Sequence, residues 1–430
     1  MPDWLLVFIA LFAFIAVGVP IPMSIGVSAL VGFWLVDIPV ITLAQSAYMA
    51  LNNVPIMAVP LFVLAGALME RGGLADRLVR FAQSLVGNYD GALGIVAVLA
   101  CMFFAAISGS GPATAAAVGT VTLPAMARER YPAALGGAII ASGGALGSLI
   151  PPSNLMVIYG IVASVSIPKL FLAGVIPGII AGLLLMVVVW VIARRKRFRG
   201  SGQRISAARV RATAWEGKWA LLAPVVILGG IYGGAFTPTE AAAVAVFYAL
   251  LTGLVIYREL TWQGIVESLR LTTLICGAIV IMLGPAIAFG QLGALMQIPE
   301  QIGALMGGLA DQPLTVLLVV TVVFVITGTF MDSIAQIILF TPLFLPLATQ
   351  AGVDPIMLGI IIVLTCEIGF LTPPVGANLF VAMRLARVPL GAVSVAVLPF
   401  LLAYFAVVAL VSFVPRVALL LPELMGQAAR

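Results

Sequence analysis

Two short strings rich in glycine and hydroxyl residues carry the groups of this sequence that could bind a small ion. They are SGSGP at residues 108–112, the first tip, and GTFMD at residues 328–332, the second tip. Each is followed by a Pro-Pro pair, 42 residues after Gly109 and 45 residues after Gly328. Unwound backbone within a membrane leaves carbonyl oxygens that require partners. Carbonyl and hydroxyl oxygens together suit a hard monovalent cation, so we predict binding of sodium ions, two or more in number.

The predicted sodium ligands are oxygens of the two tips and of the residues around the two Pro-Pro pairs. They are Ser108, Gly109, Ser110, Gly147, Ser148, Gly328, Thr329, Asp332, Gly369 and Thr372. Helices that begin after Pro112, Pro152 and Pro374 would direct positive dipole ends toward the same region, which suits an anionic substrate group. The residues predicted to contact substrate are Pro112, Thr114, Ser153, Asn154, Gly376 and Asn378.

Asp332 and Glu367 lie near these elements, and a third acidic residue, Glu240, follows a Thr-Pro turn elsewhere in the chain. A carboxylate at the bilayer centre costs about 2.5–3.5 kcal/mol on insertion scales, so such a group is a functional candidate by default. For Asp332, support of an ion site and capping of a helix remain equally open. Glu367 precedes Gly369 by two residues, and we expect a supporting or structural role for it. For Glu240 we expect a contact with a helix N-terminus.

Composition limits the class of protein. The chain has 430 residues, of which 63% are hydrophobic and 9% charged, whereas soluble domains carry about 25% charged residues. This excludes a soluble enzyme, a nucleic-acid-binding domain and a disordered scaffold, and it indicates a polytopic membrane protein. The absence of His excludes Ser-His-Asp hydrolysis and His-ligated zinc. We expect Cys101, Cys276 and Cys366 to be buried thiols.

Apolar runs and basic residues predict the topology. Full-length membrane spans are expected near residues 4–20, 22–36, 54–70, 170–193, 219–236, 240–257, 272–292 and 390–413. Nine basic residues crowd the loop 194–218, which is therefore cytoplasmic. Amphipathic pieces at 74–86, 259–271 and 296–310 are expected on the membrane surface. Both termini are then periplasmic, and 18 of the 21 basic residues are cytoplasmic, the exceptions being Lys169, Arg416 and Arg430.

Two further apolar stretches are predicted to enter the membrane and return to the same side. Residues 91–127 have basic residues at both ends, so their hairpin enters from the cytoplasm. Residues 313–349 have no basic flank, so their hairpin enters from the opposite side. The alternatives without a functional role are an exposed loop between two short spans for the first tip and simple helix kinks at the Pro-Pro pairs. The basic flanks and the matched order of parts argue against both.

The predicted fold is all-α, an inverted repeat of two re-entrant hairpins and two helices broken at Pro-Pro, as in secondary transporters. Residues 1–90, 167–312 and 388–430 are expected to form a scaffold. Residues 91–166 and 313–387 are expected to form the transport domain. We predict that the transport domain slides against the scaffold as an elevator.

Five strings, in order, identify a family resemblance over nearly the whole chain. They are FAAISGSGPAT at 104–114, GSLIPPS at 147–153, FTPTEAA at 236–242, GTFMD at 328–332 and LTPPVG at 371–376. The chain resembles the large membrane subunit of tripartite ATP-independent periplasmic (TRAP) transporters of the C4-dicarboxylate type. The resemblance implies a bacterial inner-membrane permease for sodium-driven import of an organic anion by an elevator mechanism. It also implies two partners, a periplasmic substrate-binding protein and a small four-helix membrane subunit supplied by another chain.

Other functions remain open from the sequence. A stand-alone sodium/dicarboxylate or citrate carrier would have the same architecture and would transport without a binding protein. A channel would conduct continuously and show no saturable exchange. An intramembrane enzyme lacks an evident catalytic set here, since the sequence has no His and no paired intramembrane Asp. The sequence does not identify the anion, because no basic side chain is predicted at membrane depth to bind a carboxylate.

Overall fold

The computed structural model describes residues 3–52, 54–87, 89–196 and 205–428, and within these residues it contains helices and no strand. The first region has five helices: α1 Asp3–Ala16, α2 Ile21–Leu35, α3 Ile41–Leu51, α4 Ala58–Arg71 and α5 Leu74–Leu85. Helix α3 was not predicted. Gly73 has a φ of +80°, a conformation that glycine adopts readily, and here the chain turns by 68° between α4 and α5.

The first repeat comprises α6 Ala92–Ser108, α7 Gly111–Arg128, α8 Ala133–Leu149 and α9 Asn154–Val162. Helix α6 ends where Gly109 takes a φ of +64°, and Pro112 lies in the first turn of α7. Ile150 is extended because proline disfavours the helical conformation of the residue before it, so α8 ends ahead of Pro151. Helix α9 then continues at 42° to α8. The predicted hairpin and broken helix are confirmed.

The middle region comprises α10 Ile167–Lys196, α11 Ala207–Glu216, α12 Lys218–Tyr232, α13 Pro238–Leu250 with a π-helical extension Leu251–Ile256, α14 Trp262–Leu295 and α15 Ile298–Met306. The predicted surface piece at 259–271 is wrong as a separate element, since α14 runs unbroken through it; residues 269–275 contain neither Gly nor Pro. Helix α11 lies in the predicted basic loop. Three residues of that loop, Arg197, Arg199 and Arg204, lie outside the described residues.

The second repeat comprises α16 Pro313–Gly328, α17 Ser333–Gln350, α18 Pro355–Phe370 and α19 Ala377–Ala386, followed by α20 Leu390–Phe413 and α21 Arg416–Ala428. Its order of parts matches that of the first repeat, and the span expected at 390–413 is confirmed. The bonds Pro151-Pro152 and Pro373-Pro374 are both cis. Among the three cysteines, Cys101 and Cys366 are buried as expected, but Cys276 is only half-buried because it lies on the outer side of α14.

Contacts along helix α10 show from which end elements of the two repeats start. It has 30 residues and is therefore about 45 Å long. The start of the first hairpin at Gly91 packs against Ala193, near one end of α10, whereas Ile150 packs against Gly178 near its middle. The start of α18 lies at the other end, where Gly359 packs against Leu170. The hairpin of the first repeat and the broken helix of the second therefore start from opposite ends of α10, as expected for an inverted arrangement.

The arginines that flank the first repeat lie together at one end of the molecule, the basic face. Arg71 pairs with Glu267 at 3.4 Å and Arg77 with Glu259 at 2.8 Å, so the end of α4 meets the start of α14. Arg387, after α19, lines a small cavity with Tyr131, which follows α7. The return of both broken and re-entrant elements to this face agrees with the predicted charge pattern.

Candidate functional site

The first tip is a dense group of hydroxyl and carbonyl oxygens. The hydroxyls of Ser108 and Thr114 are 2.6 Å apart and hydrogen-bonded. The Ser108 hydroxyl also lies 3.4 Å from the carbonyl of Ser110. A side chain at Gly147 would collide with the Ser110 carbonyl and the Thr114 hydroxyl, so only glycine lets α8 approach the tip so closely. Three predicted sodium ligands, Ser108, Ser110 and Gly147, thus lie together with Thr114, which was predicted to contact substrate.

The first tip is bound to the broken helix of its own repeat. The backbone N–H of Gly111 donates to the Ser148 hydroxyl at 3.0 Å, and the N–H of Asn154 donates to the Gly109 carbonyl at 3.1 Å. The Ser153 hydroxyl donates to the Ser148 carbonyl. A free N–H at the start of α7 thus finds its acceptor on Ser148 of α8, and a free carbonyl at the end of α8 finds its donor on Ser153. Buried helix ends require such partners.

The second tip contacts its broken helix through backbone. A Cβ added at Gly328 would lie 2.9 Å from the Cα of Gly369, so the two helices touch without side chains. The N–H of Val375 donates to the Thr329 carbonyl at 2.9 Å. This pairing is the counterpart of the Asn154–Gly109 hydrogen bond in the first repeat. Three predicted residues, Gly328, Thr329 and Gly369, are thus brought together, and a fourth, Gly376, directly follows Val375.

Local hydrogen bonds occupy several polar groups of the second tip. Asp332 caps α17, since its carboxylate accepts from the N–H of Ile334 at 2.9 Å. The residue is also exposed to the cavity described below. The hydroxyls of Thr329 and Thr372 donate to carbonyls of their own helices at 2.8 and 2.7 Å, which leaves their lone pairs as the only groups for an ion.

Glu367 is more central than the sequence suggested. It is completely buried, and Asn378 of α19 donates its side-chain N–H to the carboxylate at 2.9 Å. The carboxylate reaches the first repeat as well, because a Cβ added at Gly111 would lie 2.9 Å from its Oε2 atom. The signal in the sequence was an acid within an otherwise apolar run, two residues before the break. Its reach to Gly111 could not be inferred from chain order.

A cavity of about 460 Å³ lies between the tips and helices α4 and α14. Seven of the predicted site residues line it: Ser108, Gly109, Ser110, Pro112, Ser148, Asn154 and Asp332. The opposite wall consists of α4 and α14, with mostly aliphatic side chains. The remaining predicted residues lie behind this lining, at the contacts between tips and broken helices: Thr114, Gly147, Ser153, Gly328, Thr329, Gly369, Thr372, Gly376 and Asn378.

Two charged residues of α4 also line the cavity, and sequence reasoning missed them. They are Glu70 and Arg71, the last two residues of an otherwise apolar helix. The expectation that no basic side chain reaches the site is therefore wrong, because α4 ends beside the cavity instead of beyond it. Arg71 also pairs with Glu267, which marks the basic face. The cavity thus extends from the tips toward that face.

Comparison with known proteins agrees with this arrangement. The family model of the tripartite ATP-independent periplasmic transporter, DctM component, matches residues 8–417. The isethionate TRAP transporter permease protein DctMQ of Oleidesulfovibrio alaskensis is 40% identical over 94% of this chain, which spans 64% of that protein. The C4-dicarboxylate TRAP transporter large permease protein DctM of Pseudomonas aeruginosa is 43% identical over 90% of both chains.

A solved structure shows the same fold at lower sequence similarity. The YdaH transporter of Alcanivorax borkumensis, whose topology is described as unusual, superposes with a TM-score of 0.60. The match covers 90% of this chain and 88% of that one, at 14% identity. The inverted hairpins, the polar tips and the named relatives, which are permeases and not enzymes, lead to one conclusion. This chain belongs to the tripartite ATP-independent periplasmic transporter family as its DctM component, a multi-pass transporter of the inner membrane.

Proposed function

We propose that this chain couples the entry of sodium ions to the import of an organic anion that a periplasmic substrate-binding protein delivers. The observation that carries the proposal is the cavity between tips and scaffold, lined on one side by oxygen-rich tips. The relatives' names support an anionic substrate, since one names a C4-dicarboxylate and another names isethionate, a sulfonate. These two acids share a charged oxygen group and a small size.

Unpartnered oxygens in the interior support cation binding. Among the described residues, the side-chain oxygens Asn154 Oδ1, Ser333 Oγ and Glu367 Oε1 are buried and have no hydrogen-bond partner. Leaving such groups unsatisfied costs free energy, and a bound cation would remove that cost. The site offers oxygen ligands alone, the chemistry that hard cations such as sodium prefer over softer metals. We assign one sodium ion to each tip and its neighbouring break.

The anion would bind in the cavity beside these cations. The start of α7 faces it through Ser110 and Pro112, and Arg71 supplies a guanidinium at its far end. Neighbouring sodium ions would offset the negative charge of Asp332 and of the substrate. The aliphatic wall on α14, formed by Leu271, Ile275 and Ile279, would contact the carbon skeleton. Substrate and sodium would thus stabilise each other's binding.

The cavity extends toward the basic face, which the charge pattern assigns to the cytoplasm. With that orientation, the cavity is inward-facing and both chain termini are periplasmic. Since one wall belongs to the transport domain and the other to the scaffold, import requires the first wall to slide past the second. This is the elevator movement, and the small four-helix membrane subunit would hold the scaffold in place while the periplasmic protein docks on the outer face.

The runner-up function is a stand-alone carrier of the same architecture. The family description names a tripartite periplasmic transporter, which favours the assembled form. A reconstitution experiment separates the two. Proteoliposomes carrying this chain with the small subunit should take up a radiolabelled C4-dicarboxylate only with both an inward sodium gradient and the binding protein. Uptake by this chain alone would support the stand-alone carrier, and uptake without sodium would refute sodium coupling.

Electrical measurement tests the stoichiometry. Each sodium ion that enters down a potential of 100 mV contributes about 2.3 kcal/mol. Two sodium ions that enter with a monoanion such as isethionate carry one net positive charge. An inside-negative potential should therefore accelerate uptake of a monoanion. Uptake that ignores the potential would contradict coupling to two sodium ions.

A further inference from the structure

The two repeats meet on one carboxylate, that of Glu367. Asn378 of the second repeat donates to Oε2 at 2.9 Å, and Ser148, from the first repeat, lies near the same carboxylate. Gly111 of the first tip approaches it so closely that a Cβ there would lie 2.9 Å from Oε2 and 3.0 Å from Asn378 Oδ1. The group therefore lies between the two tips and belongs to neither.

This carboxylate lacks the partners that a buried charge needs. Glu367 and Asn378 are both completely buried, and their Oε1 and Oδ1 atoms have no hydrogen-bond partner. Within residues 3–52, 54–87, 89–196 and 205–428, no Lys or Arg forms an ion pair with Glu367. A buried carboxylate is stable when a counter-charge or several donors compensate it. The two oxygens without partners therefore belong to two buried residues that are hydrogen-bonded to each other.

We propose that Glu367 Oε1 and Asn378 Oδ1 bind a sodium ion at the junction of the two repeats, in addition to the ions at the two tips. The inference rests on the proposed sodium coupling and extends it by a third site. Its ligands are the side chains of two residues that contact each other. Ser148 contacts both this carboxylate and the N–H of Gly111, so the junction ion would also stabilise the first tip.

The test is a count of bound ions. The purified complex of this chain with its small subunit is titrated with radioactive sodium at equilibrium, as wild type and as Glu367→Gln. The substitution keeps the shape and can still accept the hydrogen bond from Asn378, but it removes the charge. We expect one fewer sodium ion per chain than in wild type. Glu300→Gln, an exposed position on α15, is the matched control and should bind the wild-type number.

An unchanged count in Glu367→Gln would overturn the junction site. That result includes the case in which Glu367 holds a proton instead of sodium. It would leave the proposed function intact as long as wild-type uptake still requires sodium. Wild-type protein that neither binds sodium nor needs it for uptake would refute the proposed function together with this inference.

A second variant keeps the test decisive if Glu367→Gln does not yield folded protein. Glu367→Asp retains the negative charge, but its side chain is one methylene group shorter, so the carboxylate lies farther from the proposed ion. We expect the full number of sodium ions, one of them bound at least about tenfold more weakly. Wild-type affinity at every site of this variant would contradict the proposal. Folding of each variant is checked by its elution profile in size-exclusion chromatography.

Discussion

The two breaks are similar in sequence and different in packing. Pro151 and Pro152 of the first break are buried, whereas Pro373 and Pro374 of the second are exposed. Val375, which follows them, is 46% exposed. The first break therefore lies in the interior of the protein, and the second lies at its surface. Sequence symmetry between repeats does not extend to their surroundings, because each repeat packs against different neighbours.

The tips differ in the same way. At the first tip, helix α7 begins at Gly111, whose N–H donates to the hydroxyl of Ser148 on another helix. At the second tip, helix α17 begins at Ser333 and is capped by Asp332 of the same tip. The first tip is thus stabilised by tertiary contacts, and the second by a local one. This difference suggests that the second tip can rearrange with less disturbance of its neighbours, and the following predictions test the contrast.

The largest effect is expected where the second repeat has no room for a side chain. In Gly369→Ala, the new Cβ would lie 2.6 Å from the Cα of Gly328, so the backbones must separate. We expect destabilisation of about 1–3 kcal/mol and loss of uptake. Thermal unfolding and proteoliposome uptake measure the two effects. Gly391→Ala on α20, where nothing lies near the added Cβ, is the control and should behave as wild type.

Asp332→Asn separates capping from ion binding at the second tip. Asn caps helices about as well as Asp, so the thermal stability should hardly change. The charge is lost, and we expect the sodium concentration for half-maximal uptake to rise several-fold. An unchanged sodium requirement would assign Asp332 to capping alone. Asp332→Ala, which removes cap and charge together, should in addition lose about 0.5–2 kcal/mol of stability.

Smaller and unequal effects are expected from the two hydroxyl substitutions. Ser110→Ala removes a hydroxyl from the cavity lining, and we expect a higher sodium requirement. Thr372→Ala removes a hydroxyl that donates to the carbonyl of Ile368, so its effect on sodium should be weaker. Sodium titrations of uptake compare the two variants. An equal or larger effect of Thr372→Ala would show that the hydroxyl of the second break binds the ion despite its helix hydrogen bond.

The last prediction concerns orientation and should leave transport unchanged. Ser206→Cys, beside α11, and Gln350→Cys, at the end of α17, are both exposed positions. In oriented membranes, a membrane-impermeant thiol reagent should label the first only from the cytoplasm and the second only from the periplasm. The half-buried Cys276 is replaced by Ala beforehand. Labelling of both positions from one side would contradict the opposite entry of the two hairpins.

Many features of the fold could be predicted because their causes are local. Pro-Pro interrupts a helix wherever it occurs, since proline lacks an N–H and restricts the residue before it. Basic residues at both ends of an apolar stretch indicate that the chain returns to the side from which it entered. The predicted tips at 108–112 and 328–332 coincide with the ends of α6 and α16. Helix α3 and the full length of α14 were missed, since short apolar helices and charged helix starts give weak local signals.

The sequence by itself determined the membrane class, the inverted repeat, the two tips and most of the polar residues that line the cavity. The tertiary structure was needed to show that Arg71 of α4 borders the cavity and that Glu367 reaches Gly111, more than 250 residues away in the chain. It also decided that one break is buried and the other exposed. The physical reason is that helix ends follow from residues within one turn, whereas contacts between helices depend on how closely glycine-lined surfaces pack.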